Sequence, residues 1–466
     1  MEPSFFKGKR VTVFGVGTLG GGIGTITYLI AHGAKVIATD IKTKEQLAPA
    51  LKKLSSLKGI EYVLGQHRSE DFTNVDMVVK TPQVPWSNKH VKIALEHHIP
   101  VETDAGLFFR LCNNPIIGIT GTKGKTTTSR LVYEILRVAG KNPVSIGVGR
   151  TSVLDRLDLL KKNNPVVFEL SSWRLSALAH VKKSPYIAAI TNIFPDHLNY
   201  YGSMESYVKD KKNIFLFQGA KDWLILNNDD PTVHAFAAGA LAQVIRCSVS
   251  RVAEGRSVFL HEAAIYLNDG IDEKKICDVA DIPLRGAHNH MNMLIAVGVA
   301  HAAGVSIEQM RAALMQFKGV QHRLEFVKNV GGVAYYNDTA ATVPQAAIAA
   351  IESFTEPVIV IAGGSDKNLD FNALGETIVH RAKGVVLLKG AASEKLIAAM
   401  RSHLPATEQE RQFEVVDSMT KAVEYAARSA EKGDVVVLSP GATSFGLFTN
   451  EFDRGEQFKA AVAQLA

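Results

Sequence analysis

Two short stretches of this 466-residue chain have the residue types and spacing to hold phosphate. In the first, Gly15, Gly17 and Gly20 follow the apolar run VTVFG and precede a helical pattern, and Asp40 closes the next strand-like run, KVIATD. Glycines there let backbone N–H groups approach a diphosphate at a helix N-terminus, and an acid so placed could bind a ribose or a base. A strand-to-helix turn that merely requires glycine would read the same way. The loop therefore licenses a diphosphate-bearing ligand without naming one; taken alone, it fits an NAD-dependent oxidoreductase.

The second stretch is GTKGKTT at 121–127, which follows PIIGIT and opens another helical pattern. Backbone N–H groups of Gly121, Thr122, Lys123, Gly124 and Thr127 would wrap phosphate oxygens, Lys125 would reach the outer phosphates, and the Thr126 hydroxyl would ligate Mg²⁺. ATP or a close relative is the expected ligand. Two later segments also end strand-like runs, where an open α/β sheet places its ligands. FELSSW carries Glu169, and TNIFPDHLNYYG carries Asp196 and His197. Singly, Glu169 could be a buried paired acid and His197 a capping or core histidine. Downstream of a phosphate loop they become candidate oxygen and imidazole ligands for Mg²⁺.

The elements that must position these residues alternate in type. VTVFG (11–15), KVIATD (35–40) and VDMVVK (75–80) read as strands, with helices between them at 20–32 and 88–97. The pattern restarts at PIIGIT (115–120), continues through PVVFEL, YIAAIT and WLILNN, and reaches a hairpin, SVFLHEAAIYL (257–267), and a helix pair at 288–316. A third block opens with HRLEFV (322–327) and holds the strands PVIVIAG, GVVLLKG and DVVVLSP. Such alternation implies mostly parallel sheets covered by helices. The expected architecture is three α/β domains: 1–112 Rossmann-like, 113–320 a P-loop ATPase-like unit, and 321–466 again Rossmann-like.

Composition narrows the class. Hydrophobic content of 46% and charged content of 21% describe a globular protein. The formal charge of +6 comes with no long basic run, which argues against nucleic acid and is accounted for by a polyphosphate substrate. Cys112, Cys247 and Cys277 are odd in number and far apart, so reduced thiols are expected. MEPSFFKGKR lacks the apolar core of a signal peptide, and no apolar run reaches the length of roughly 18 residues that spans a membrane. The expectation is a cytoplasmic protein without a membrane partner.

With these motifs in order, the chain resembles the Mur ligase family, ATP-dependent amide-bond formers of peptidoglycan synthesis. The resemblance runs nearly end to end: GTKGKTT, ELSS (169–172), N-x-x-x-D-H-L (192–198), N-x-D-D-P (227–231), GAHNHMN (286–292), HRLE (322–325), NDT (337–339), GGSDKNLDF (363–371) and LSPGATSF (438–445). It is similar above all to the branch that adds D-glutamate to UDP-N-acetylmuramoyl-L-alanine. The resemblance implies that the first loop holds a UDP-sugar and the second ATP. ATP would phosphorylate the L-alanine carboxylate, and the incoming amino group would then displace phosphate from the acyl phosphate.

The same resemblance assigns Lys125 and Thr126 to the ATP phosphates and a first Mg²⁺, and Glu169 and His197 to a second. It places a CO₂-carbamylated lysine in YVKDKKNIF, best matched by Lys211, with Lys209 and Lys212 as competing registers. An unmodified lysine, with a pKa near ~10.4, would repel the metal, whereas a carbamate offers it oxygens. Asn289 and Asn292 fall to the adenine side, although both could instead cap a helix, and Arg323 and Asp338 to the γ-phosphate and ribose. Ser171, Thr342, Lys367, Ser444 and Phe445 fall to the substrates, with Lys367 also catalytic. Gly17, Thr18, Leu19, Asp40 and Ile41 fall to the UDP pocket. Ligands carried on three domains imply closure, and the family is commonly monomeric.

Four positions depart from the family's pattern. Gln83 in TPQVP stands for a glycine, Val148 for an asparagine, Ala340 for a lysine after NDT, and Glu451 near an aromatic of the amino-acid pocket. Arg150 could supply the charge missing at Ala340. The substrate-facing drift leaves another Mur-type ligase open, one that adds L-glutamate or a different amino acid.

Overall fold

The computed structural model describes residues 1–18, 20–148, 153–252, 255–410 and 412–465; Leu19 and Arg150 lie outside them. Residues Met1–Val279 and Met291–Leu314 form one compact unit, and Ala280–His290 with Met315–Ala466 a second. The chain builds three α/β sheets, and the expected doubly wound class is what it forms.

The first sheet has five parallel strands: β1 (Arg10–Phe14), β2 (Lys35–Asp40), β3 (Ile60–Leu64), β4 (Met77–Lys80) and β5 (Val101–Thr103), in the order β3-β2-β1-β4-β5. β1 and β4 are almost wholly buried, because helices cover both faces of a parallel sheet. β3, half exposed at the sheet edge, was not legible from periodicity.

The second sheet, in the same unit, is built from β6 (Ile116–Thr120), β7 (Val144–Ile146), β8 (Val166–Glu169), β9 (Ile187–Ile190), β10 (Trp223–Asn227), β11 (Gln243–Ser248), β12 (Ser257–His261), β13 (Ala264–Asn268) and β14 (Glu273–Asp278). Its order is β14-β13-β12-β11-β10-β9-β6-β8-β7. The strands are parallel except that β12, β13 and β14 pair antiparallel. β6 lies between β9 and β8, so whatever follows β6 is flanked by the ends of both. The helix Lys125–Val138 leaves that point with Leu131, Val132, Ile135 and Leu136 buried, the i, i+1, i+4, i+5 stripe of a helix lying on a sheet.

The third sheet holds β15 (Glu325–Val330), β16 (Val333–Asn337), β17 (Val358–Gly363), β18 (Ala382–Leu388), β19 (Glu414–Val416) and β20 (Val435–Leu438), in the order β15-β16-β20-β17-β18-β19. Only β15 runs antiparallel. The three cysteines are free and buried. Among the described residues, no helix is long and apolar enough to cross a membrane.

Candidate active site

The second glycine loop is the β6-to-helix turn. Gly121 and Gly124 take φ of 152° and 83°. A Cβ at Gly121 would lie 1.8 Å from Thr191 Oγ1, and one at Gly124 2.3 Å from Asn292 Oδ1, so both glycines are dictated by close approach as well as by backbone angle. The segment after β9 laces the loop in place. Thr122 N–H donates to the Asn192 carbonyl at 2.9 Å, Lys123 N–H to Asn192 Oδ1 at 2.8 Å, and Phe194 N–H to Thr122 Oγ1 at 3.0 Å. The N–H groups of Thr122 and Lys123 are therefore used by Asn192. The N–H groups that open the following helix, around Lys125, Thr126 and Thr127, are the ones a helix start leaves for phosphate.

Asp230 fixes this lacing from behind. Its Oδ2 accepts from Ile193 N–H at 2.7 Å, while Oδ1 caps the helix Pro231–His234 through Thr232 and Val233 N–H. The acid of N-x-D-D-P thus holds the loop that carries Asp196 and His197. His197 is itself exposed, with φ of 53°, and its ring packs on Trp173 at 4.8 Å between centroids.

Two lysines converge on the loop. Lys125 Nζ donates to the carbonyls of Gly121 and Thr122, each at 3.0 Å. Lys211 Nζ donates to the same Gly121 carbonyl at 2.9 Å and to Thr120 Oγ1 at 3.4 Å. On the helix Met204–Lys212, Lys211 is buried while Lys209 and Lys212 are exposed. Burial, followed by the charge of Lys125, holds the Lys211 ammonium well below the usual lysine range. Tyr207, one turn earlier on the same face, was missed in the sequence. Its ring lies 4.8 Å from Lys211 Nζ and its hydroxyl 3.1 Å from Thr122 Oγ1; the i, i+4 spacing to Lys211 was the available signal.

Glu169 ends β8 opposite Ile119. Its Oε2 is buried with no hydrogen-bond partner, which is what a carboxylate oxygen set aside for a cation looks like. Among the described residues no three His, Cys, Asp or Glu side chains cluster as a ready-made metal cage. Ser171, just beyond, caps the helix Ser172–Val181 through Arg174 N–H at 3.3 Å. Asn292 is buried, and its Oδ1 accepts from Thr128 Oγ1 at 3.2 Å, which ties it to the phosphate-loop helix.

At the first loop, Asp40 holds the backbone around it. It is 7% exposed, and its carboxylate accepts from Gly17 N–H at 2.9 Å and from Lys42 N–H at 3.0 Å. Both oxygens have a backbone partner, so Asp40 fixes the loop, and each keeps a lone pair for a further donor. Thr18 and Ile41 are the exposed residues there, Ile41 at 66%.

In the second unit, the ends of the neighbouring strands β16, β20 and β17 bring 338–342, 439–445 and 364–367 together. Asp338 is buried; its Oδ2 accepts from Ser439 Oγ at 2.9 Å and its Oδ1 from Leu324 N–H at 3.1 Å, and burial pushes its pKa up to about 7. Ser365 and Thr443 exchange backbone hydrogen bonds, which sets Lys367 Nζ 6.0 Å from the Phe445 ring. Ser444 is buried, Thr342 half-buried and Arg323 exposed. Asn289 donates to the Arg285 carbonyl at 2.7 Å.

Arg454, also missed, is fully buried. It donates to Thr339 Oγ1 and the Thr339 carbonyl, each at 2.9 Å, and to the Ala442 carbonyl at 3.1 Å, joining two of the site's segments. Glu451 lies in the first turn of the helix Glu451–Ala463, where an acid complements the helix dipole; that explains one departure. Nothing in the structure explains Ala340 or Val148.

Comparison with known proteins matches these features in the same order. The MurD-like N-terminal domain of Mur ligases matches residues 9–103, the Mur ligase middle domain 119–300, and the Mur ligase glutamate ligase domain 322–441. The chain is 41% identical over 464 residues to the UDP-N-acetylmuramoylalanine–D-glutamate ligase of Roseiflexus sp. (strain RS-1), covering 98% of each chain. The chain belongs to the Mur ligase family. The Clostridioides difficile (strain 630) enzyme of the same name is 37% identical, over 98% of this chain and 99% of its own. Among solved Mur ligases, the MurC of Thermotoga maritima superposes with a TM-score of 0.58 at 19% identity, covering 98% of this chain and 99% of its own. MurF from the same organism, in complex with ADP, gives 0.57 at 17%, covering 99% and 96%. These two show the shared fold. As a Mur ligase, the chain is an ATP-dependent ligase.

Proposed function

We propose that the protein joins D-glutamate to UDP-N-acetylmuramoyl-L-alanine through an acyl phosphate, converting ATP to ADP and phosphate. The observation that carries the reading is the end-to-end identity, 41% over 98% of both chains, with a ligase of that name. Residues 1–112 are assigned to the UDP-sugar, 113–320 to ATP and 321–466 to the amino acid.

A carboxylate resists attack by an amine because oxide is a poor leaving group; phosphorylation supplies a good one. Two anions must first meet, so positive charge has to gather at the transferring phosphoryl group. Lys125 and the helix-opening N–H groups serve the ATP phosphates. Mg²⁺, when bound, neutralises phosphate charge, and Thr126, Glu169, His197 and a carbamylated Lys211 are the residues assigned to hold it in two sites. CO₂ adds only to a neutral amine, so the lowered pKa of Lys211 supports that modification. Lys367 and Ser444 serve the carboxylates of the incoming glutamate, beside Thr342 and Phe445. Asn289 and Asn292 are assigned to the adenine, and Arg323 and Asp338 to the γ-phosphate and ribose. We read the protein as a cytoplasmic monomer. Product mass from a mixture of MgATP, bicarbonate, UDP-N-acetylmuramoyl-L-alanine and single amino acids tests the assignment. Gain of one glutamyl residue only with the D isomer supports it, and preference for another amino acid would replace the substrate.

A further inference from the structure

Lys80 ends β4 and is 1% exposed. A lysine so deep normally has a paired charge, because removing an ammonium from water is costly. Here Nζ donates to the Val84 carbonyl at 2.9 Å and lies 4.3 Å from the centroid of the Trp86 ring. Asp104 and Asp210 favour the ammonium from further off, against the burial. Trp86 in turn stacks on His180 at 3.7 Å and donates Nε1–H to Ser176 Oγ at 3.1 Å. His180 and Ser176 belong to the helix Ser172–Val181, which starts just beyond Glu169.

The bracketed segment is TPQVPW, and its near end touches the first glycine loop. Thr81 N–H donates to the Phe14 carbonyl at 3.0 Å, and a Cβ at Gly15 would lie 2.6 Å from Thr81 Oγ1. Val84 N–H closes a turn on the Thr81 carbonyl at 3.1 Å, and the Lys80 ammonium holds that turn from inside. Gln83 projects from it, exposed, where the family's pattern has glycine.

We propose that Lys80 is a positioning residue for the UDP-sugar subsite: by holding the Val84 carbonyl and the Trp86 ring it fixes the 81–86 turn against the Gly15–Gly20 loop, and so sets the affinity for the nucleotide-sugar without touching it. The proposal rests on the reading that this loop takes the UDP-sugar.

The test uses the full-length enzyme and three substrate titrations, with UDP-N-acetylmuramoyl-L-alanine binding measured directly by calorimetry. Lys80→Met keeps the volume and removes the donor. It is expected to raise KM and Kd for the UDP-sugar about tenfold while leaving KM for ATP and for glutamate within about twofold. Trp86→Phe, which keeps a ring but loses the Ser176 bond, should give a smaller change confined to the same substrate, and it provides the readout if Lys80→Met does not fold. Unchanged UDP-sugar affinity in the folded variants, or equal loss for all three substrates, overturns the positioning role. Failure of the unmodified enzyme to bind the UDP-sugar would instead sink the reading on which the proposal rests.

Discussion

Lys125 and Lys211 donate to one and the same oxygen, the Gly121 carbonyl, at 3.0 and 2.9 Å. Two ammonium groups sharing an acceptor repel each other, and Lys211, the buried one, is the group whose charged form is disfavoured. A neutral Lys211 is a nucleophile toward CO₂. The resulting carbamate anion would turn the repulsion from Lys125 into attraction.

The first prediction concerns that carbamate. With ¹³C-bicarbonate present, the enzyme should show a carbamate resonance that Lys211→Ala removes and that Lys209→Ala and Lys212→Ala keep. Lys211→Ala should lower kcat by about 100-fold or more, while the other two stay within about threefold. A signal that survives in Lys211→Ala would move the modification elsewhere.

By residue type alone the three lysines of this helix are equivalent. YVKDKK is charged on every side, and only the packing of Tyr207 and Lys211 beneath the phosphate loop decides which face is buried. The GTKGKTT turn was legible because its cause is local: a strand end, two glycines in restricted conformations and a helix start. The β12–β13 hairpin was legible in the apolar run SVFLHEAAIYL, whereas β14, Glu273–Asp278, hid behind its charged exposed half. Asp40 was placed correctly at the strand end, yet its partners Gly17 and Lys42 are backbone groups that no motif records. Asp230 stood inside N-x-D-D-P, but its partners, like two of Arg454's three, are backbone groups that the motif does not show.

Gly121→Ala should abolish ATP binding. The added Cβ would fall 1.8 Å from Thr191 Oγ1 at a φ of 152°, so either the loop or the Thr191 segment must move. Nucleotide titration by calorimetry reads the loss, and UDP-sugar binding, which we assign to the other glycine loop, should persist. Lys125→Ala should keep the fold and lose turnover by about 1,000-fold, as expected for a cation that serves the transferring phosphoryl group.

Asp40→Ala removes the acceptors for Gly17 and Lys42 N–H. KM for the UDP-sugar should rise about tenfold with kcat little changed, because the loss is of uniform binding. No nicotinamide absorbance change should accompany turnover by the unmodified enzyme.

Asp338 gives a pH signature. Its pKa is raised by burial to about 7, so the folded state keeps a proton that the unfolded chain releases near its ordinary value. Its contribution is complete below the unfolded pKa and is lost as pH rises through about 7. Asp338→Asn mimics the protonated form. Thermal melts should therefore show the variant gaining on the unmodified protein between about pH 4 and about pH 7 and levelling off above. A difference that stays flat across that window would contradict the buried carboxyl.

Arg454→Met deletes three buried hydrogen bonds that join Thr339 to Ala442. A loss of about 2–4 kcal/mol is expected in denaturant unfolding. KM for glutamate should rise more than KM for ATP, since Ala442 leads directly into Thr443, Ser444 and Phe445.

The most direct test of the central claim is phosphate release coupled to product mass. The purified protein is given MgATP, bicarbonate, UDP-N-acetylmuramoyl-L-alanine and, in separate reactions, D-glutamate, L-glutamate and a panel of other amino acids. The account predicts stoichiometric phosphate and a product heavier by one glutamyl residue with D-glutamate alone. Phosphate release with another amino acid and not with D-glutamate, or none with any, would contradict it.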